Sequence, residues 1–296
     1  LGSPAPRNLE DFQKRFNVKV GLSDHRIGIE APMIAVAMGA QVIEKHFILD
    51  KSIGGADAHF SLDEKEILIG EGKLKFGFHP VYFLRTLFSV NQFNDSNIKK
   101  ILRELALNHS KIQTRQSGID VGKILNFIKD TQNVPGDILE LGTWLGGFTC
   151  LMARYLNMIK SDKHIITCDS FEGMPEYMNI EYKTGGLLKV DINLVKEKFK
   201  QFGVDDRITI VKGFIEKTLL TLDEKTFSFA LIDTAAYDSL KFALEFIYPR
   251  LSKNGIITFD DYLKPNQGLA SAQAIDEFCE KNNLKVNITP YPHIKK

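Results

Sequence analysis

The chain has 296 residues, 44% of them hydrophobic, which is enough apolar mass for one large domain or two ordinary ones. Its formal net charge is +1, with 38 Lys and Arg against 37 Asp and Glu, so charge supplies no drive towards nucleic acid or an anionic membrane. No apolar run reaches 18 residues, no signal peptide is visible, and Cys150, Cys168 and Cys279 stand isolated in apolar surroundings; a soluble protein with reduced thiols in the cytoplasm is expected.

In chain order, Lys19 to Leu22 and Gln41 to Lys45 read as short strands flanking an Ala-rich helix at about 29–39. His25 follows the first strand and His46 the second. A lone histidine is usually structural, but two at the ends of adjacent strands can meet on one metal ion. Phe76-Gly77-Phe78-His79-Pro80 is turn-like, and Val81 to Val90 is apolar but too short to span a bilayer. From Asn97 to Leu107 the apolar residues Ile98, Ile101, Leu102 and Leu105 recur at helical spacing. That amphipathic helix either packs on a sheet or forms a lid or dimer contact over a cofactor site. A further helix near Asp120–Thr131 is followed by a break at Asn133-Val134-Pro135-Gly136.

The remainder alternates strands with helices. Ile138-Leu139-Glu140-Leu141 ends in Gly142, and after a tight turn a helix begins at Gly146-Gly147-Phe148-Thr149. Glycines there either admit a nucleotide-like ligand close to the backbone or merely close the turn. A second strand, His164 to Cys168, ends in Asp169-Ser170-Phe171-Glu172-Gly173, about 27 residues past Gly142. An acid at that position can accept hydrogen bonds from adenosine ribose hydroxyls, or serve as a cap or turn residue. Ile208 to Val211 is the third strand. Phe227 to Ile232 ends in Asp233, and Gly255 to Phe259 ends in Asp260-Asp261. Neighbouring strand ends would bring these three carboxylates together. Their mutual repulsion is resolved by a hard divalent cation with oxygen ligands, most simply Mg²⁺, unless Asp260-Asp261 only caps the next helix.

Several of these stretches together resemble the macrocin O-methyltransferase family over about 116–296. The matches are Leu139 through Gly147, Asp169 through Pro175, Asp233 through Tyr237, Tyr248 through Ser252, Phe259 through Tyr262 and Ala274 through Phe278. The resemblance implies a Rossmann-like class I S-adenosylmethionine methyltransferase domain. It places cofactor contacts at Glu140, Gly142, Gly146, Gly147, Thr149, Asp169 and Ser170, and Mg²⁺ on Asp233, Asp260 and Asp261. Asp233 is then also the candidate base. The sulfonium methyl is already activated, so what remains is to align an acceptor oxygen and lower its pKa. Two departures stand out: Ala235 sits where the family usually has a second acid, and the region after Val286-Asn287-Ile288-Thr289-Pro290, the last strand expected, stops at Lys296 without the family's longer aromatic-rich end.

The N-terminal part resembles a different family, the N-acetylneuraminate (sialic acid) synthases. The matches are Val20 through His25, Gly28-Ile29-Glu30, Val42 through Phe47, Gly55-Ala56-Asp57 and Phe60-Ser61-Leu62. The resemblance implies a divalent metal, typically Mn²⁺, on His25 and His46, and substrate-site roles for Ser23 and Asp57. A β/α barrel needs eight units, and this stretch supplies two or three. Residues 1–66 therefore read as an incomplete β/α-barrel fragment, 67–115 as a helical connector and 116–296 as the methyltransferase domain. A start at Leu1 allows that more of the barrel lies upstream.

The reading favoured is an S-adenosylmethionine- and Mg²⁺-dependent O-methyltransferase acting on a hydroxyl of a sugar or glycosylated small molecule. Two others remain open: a synthase-related protein inactive on its own, and a non-catalytic cofactor-binding protein. No nucleic-acid or membrane partner is expected, and the family often forms homo-oligomers.

Overall fold

The computed structural model describes residues 15–16, 20–25, 31, 35, 40–46, 58, 61, 80–173, 188–234, 236–262 and 269–296. Asp57, Met174, Pro175 and Ala235, all singled out above, lie outside them. The chain divides into two compact units, one of residues 1–111 with 117–119 and one of 112–116 with 120–296.

In the first unit, β1 (Gly21–Asp24) and β2 (Val42–Lys45) pair in parallel, Leu22 opposite Ile43 and Ser23 opposite Glu44. Ala35 and Ala40 are fully buried, with Val20, Leu22 and Ile43 packed against them. The turn-like stretch 76–79 falls outside the described residues, and Val81–Val90 proves helical, within α1 (Pro80–Val90). The amphipathic helix runs longer than the apolar spacing suggests, as α2 (Ser96–Ile112), capped by Asp95, whose carboxylate accepts from the amides of Asn97 and Ile98. Ile98, Ile101, Leu102 and Leu105 are fully buried, as their spacing requires.

The second unit carries a six-stranded sheet. Its members are β3 (Asp137–Leu141), β4 (Ile165–Asp169), β5 (Ile208–Lys212), β6 (Phe227–Ile232), β7 (Leu251–Phe259) and β8 (His293–Lys295). The order is β5-β4-β3-β6-β7-β8, parallel throughout except for the antiparallel β7–β8 pair. All six residues of β6 are buried, as a central parallel strand covered on both faces demands. The intervening helices are α3 (Gly118–Asp130), α4 (Gly147–Met158), α5 (Ile192–Gln201), the single turn α6 (Ile215–Thr218), α7 (Tyr237–Arg250) and α8 (Leu269–Lys281). Leu240, Ala243, Leu244 and Ile247 of α7, with Ala274, Ile275 and Phe278 of α8, join Leu141, Ala230, Ile232, Ile257 and Phe259 of the sheet in one core cluster. Each buried aliphatic side chain of this kind stabilises the fold by about 1.5–3 kcal/mol.

One strand differs from the sequence reading. Val286–Pro290 contributes only a single bridge at Asn287, and the chain turns so that His293–Lys295 forms the edge strand. Pro290 and Pro292 lack amide donors and break any ladder across them. Burial decides the register: Ile288 is left exposed, whereas Ile294 is buried opposite Ile257. Among the described residues, no helix is long and apolar enough to cross a membrane.

Candidate active site

The carboxyl ends of β3, β4, β6 and β7 converge on one edge of the sheet. The ladder continues one residue past each strand. The Asp233 amide donates to the Leu141 carbonyl at 2.9 Å, and the Asp260 amide donates to the Ile232 carbonyl at 3.1 Å. With Ile232 opposite both Leu141 and Phe259, this register sets Asp233 beside Asp260 and Asp261. Ligand oxygens of the three aspartates all lie within 4.8 Å of one another. Asp260 is buried and the other two are half-buried. The sequence spacing anticipated this convergence. The donor set is three hard anionic oxygens, which suits a hard divalent cation of the Mg²⁺ type.

Two further side chains reach the cluster. The Gln116 amide donates from Nε2 to Asp233 Oδ2 at 2.8 Å, while Thr114 Oγ1 donates to Gln116 Oε1 at 2.5 Å and fixes which way that amide faces. From the other end of the unit, Tyr291 OH donates to Asp260 Oδ1 at 2.6 Å. Burial first, then the negative charge of Asp260, pushes the Tyr291 phenol well above its ordinary range, so it stays an O–H donor. Sequence reasoning missed both: Gln116 has no motif around it, and Tyr291 lies in the region taken for a shortened end.

The glycine turn rests directly against this cluster. Gly142 has φ +94°, and a Cβ there would lie 2.2 Å from the Asp233 carbonyl oxygen. Gly146, at φ +72°, would drive a Cβ to 2.7 Å from the Phe199 ring, and Gly147 to 2.2 Å from the Ile112 carbonyl oxygen. The space these glycines leave is filled by the protein's own atoms. They let segments of the chain pass close together, and a ligand is not needed to explain them.

Asp169 closes β4 and is engaged on both oxygens. Oδ2 accepts from the amides of Thr143 at 2.9 Å and Trp144 at 2.8 Å, and Oδ1 accepts from Phe171 at 2.7 Å. It therefore ties the 143–144 turn, including Trp144 at φ +47°, to the end of the neighbouring strand. Three of roughly four acceptor positions are used, which leaves one for a hydroxyl. Ser170 beside it accepts from the Glu172 amide at 3.2 Å.

Glu140 is 2% exposed and faces inward. Its Oε2 accepts from Thr149 Oγ1 and Thr167 Oγ1, each at 2.6 Å, and Thr167 is in turn bonded to Thr143. Burial pushes the Glu140 carboxyl up to about 7, the two hydroxyls hold it down, and Asp169 adds a smaller upward push. Glu140 and Thr149 thus form a buried brace joining β3, β4 and α4 beneath the turn. A concavity of about 780 Å³ lies at the opposite, amino ends of the strands, lined by Gly136, Lys163 and Thr226 among others, and holds none of these groups.

In the first unit, His25 and His46 meet edge to face with ring centroids 4.8 Å apart, and Ser23 Oγ lies 3.1 Å from His25 Nε2. Parallel pairing of β1 and β2 places the two imidazoles side by side, as their strand-end positions suggested.

Comparison with known proteins finds two different families along the chain. Residues 120–292 match the macrocin-O-methyltransferase (TylF) family model, and residues 6–69 match that of the NeuB family. Mycinamicin III 3''-O-methyltransferase of Micromonospora griseorubida is 29% identical over 171 residues, covering 52% of this chain and 65% of that protein. The pseudaminic acid synthase of Campylobacter jejuni is 34% identical over 157 residues, covering 46% of this chain and 43% of that protein. The chain thus spans between about two fifths and two thirds of these curated relatives. The structure of the O-methyltransferase NovP superposes with a TM-score of 0.53 at 26% identity, covering 61% of this chain and 81% of that one. The parallel sheet with its acid-lined carboxyl edge is the Rossmann-like class I methyltransferase fold, and the chain belongs to the macrocin-O-methyltransferase family.

Proposed function

We propose that this chain is an S-adenosylmethionine- and Mg²⁺-dependent O-methyltransferase acting on a hydroxyl of a sugar or glycosylated small molecule. The observation that carries the reading is the gathering of Asp233, Asp260 and Asp261 within 4.8 Å, with Asp233 in backbone contact with the Gly142 turn. Asp233, Asp260 and Asp261 would hold the cation, and the turn from Gly142 to Gly147 would carry the methionine end of the cofactor, with Asp169 taking a ribose hydroxyl on its remaining acceptor position. A bound divalent cation supplies Lewis acidity that lowers the pKa of an acceptor hydroxyl. Asp233, half-buried and nearest the turn, accepts the acceptor's proton. Holding acceptor and methyl donor in line removes much of the entropic barrier. The mycinamicin relative, by its name, methylates a 3'' position, which supports a glycosylated acceptor. Transfer of labelled methyl groups onto a panel of sugars and glycosides, with and without a chelator, tests the assignment. Absence of transfer to every acceptor, with no cofactor binding in calorimetry, overturns it and leaves a non-catalytic protein.

A second reading concerns the first unit alone. The His25–His46 pair, 4.8 Å between ring centroids, supports binding of a divalent metal such as Mn²⁺ to a synthase-like segment. Calorimetry of Mn²⁺ with a His25→Ala, His46→Ala variant separates this site from the aspartate cluster. The three buried free cysteines support a reducing, cytoplasmic setting.

A further inference from the structure

We infer that Gln116 and Tyr291 are the positioning residues of the cation site, and that between them they set how tightly Asp233 and Asp260 hold a divalent ion. The inference rests on the proposed Mg²⁺ site and deepens it. Each residue holds one oxygen of one proposed ligand. Gln116 Nε2 holds Asp233 Oδ2 at 2.8 Å, and Tyr291 OH holds Asp260 Oδ1 at 2.6 Å. Both holders are themselves buried, at 7% exposure, so their rotamers are fixed by packing. Gln116 is further oriented by Thr114, whose hydroxyl occupies the amide oxygen and turns the N–H₂ end towards Asp233.

The segment that delivers Gln116 is anchored in turn. Lys198 on α5 is buried, and its Nζ donates to the Ile112 carbonyl at 3.0 Å and to Gln113 Oε1 at 2.9 Å. Gln113, at φ +57°, then redirects the backbone towards Thr114 and Gln116. A chain of direct contacts therefore runs from α5 to Asp233. At the other ligand, β8 pairs with β7 and carries Tyr291 in just before His293, against the strand that ends in Asp260. The two carboxylates are thus steered by segments more than 170 residues apart, roughly one from each end of the unit. Partners of this kind on metal-binding carboxylates fix orientation and typically alter metal affinity by roughly ten- to a hundredfold.

The test is a Mn²⁺ titration of the full chain, followed by loss of the free-ion electron paramagnetic resonance signal, for the wild type, Gln116→Leu, Tyr291→Phe and Thr114→Val. Mn²⁺ stands in for Mg²⁺, and the His25→Ala, His46→Ala background removes the imidazole pair in every sample. Gln116→Leu and Tyr291→Phe each weaken binding roughly tenfold or more, and Thr114→Val weakens it by less. Melting temperatures without cation stay near the wild-type value, while the rise on adding cation shrinks. Unchanged affinity in both main variants overturns the inference with the cation site intact. No Mn²⁺ binding by the background protein itself overturns the cation site, and the positioning roles with it. If Tyr291→Phe fails to fold, Gln116→Leu, on a separate segment, still decides.

Discussion

A Cβ on Gly142 would sit 2.2 Å from the carbonyl oxygen of Asp233, so the turn proposed for the cofactor and the first proposed cation ligand share a backbone contact. No side chain mediates between them. Any shift of the β3 turn is therefore felt at the aspartate cluster.

Gly142→Ala tests that contact. The methyl group meets a carbonyl that cannot swing away, and φ +94° is itself strained for alanine. A loss of at least about 2–3 kcal/mol is expected in denaturant unfolding, with weaker cofactor and cation binding together. Loss of one without the other would contradict the shared contact.

Asp169→Asn keeps the shape but replaces one acceptor oxygen with an amide donor. At least one of the amides of Thr143, Trp144 and Phe171 then faces another donor. The expected cost is about 1–3 kcal/mol in stability, accompanied by weaker S-adenosylmethionine binding in calorimetry. Full cofactor affinity in this variant would confine Asp169 to holding the turn.

Glu140 gives a pH signature. Its folded-state pKa of about 7 lies above the ordinary 4.5, so between those values the folded protein holds a proton that the unfolded chain has released. Its contribution to stability is therefore complete below about 4.5 and is lost as pH rises through about 7. The difference amounts to at most about 3 kcal/mol. Glu140→Gln, which can still accept from Thr149 and Thr167, is expected to gain on the wild type at pH 8 relative to pH 4.5 in paired unfolding curves. Equal gaps at both pH values would show that folding leaves the Glu140 pKa at its ordinary value.

Asp233→Asn removes the proposed base and one cation ligand. Its methyl-transfer rate is expected to fall by about a hundredfold or more, and added chelator should then change little. A variant that keeps both its rate and its Mg²⁺ dependence would end the case for Asp233 in either role.

Much of this was legible in the residues. Successive β-branched runs ending in Asp169, Asp233 and Asp260 announced a parallel sheet with an acidic rim, because both the pattern and the strand-end position are local properties. The glycine turn was legible as a turn, but not its reason: whether the space beside Gly146 goes to a ligand or to Phe199 is a tertiary fact. Gln116 was invisible for the same cause, since its partner lies 117 positions away. The misplaced final strand shows where pattern fails. Val286–Thr289 alternates well enough to pair, yet the prolines at 290 and 292 and the buried Ile294 hand the edge to His293–Lys295.

The fit at Gly147 has a consequence for reading divergent sequences of this type. With the carbonyl oxygens of Ile112 and Gln113 at 2.2 and 2.5 Å from where a methyl would stand, no larger residue is admitted while the entry segment keeps its course. A homologue bearing alanine or serine at that position is expected to thread its approach segment differently. One codon thereby becomes a marker for the route of a loop thirty-odd residues upstream.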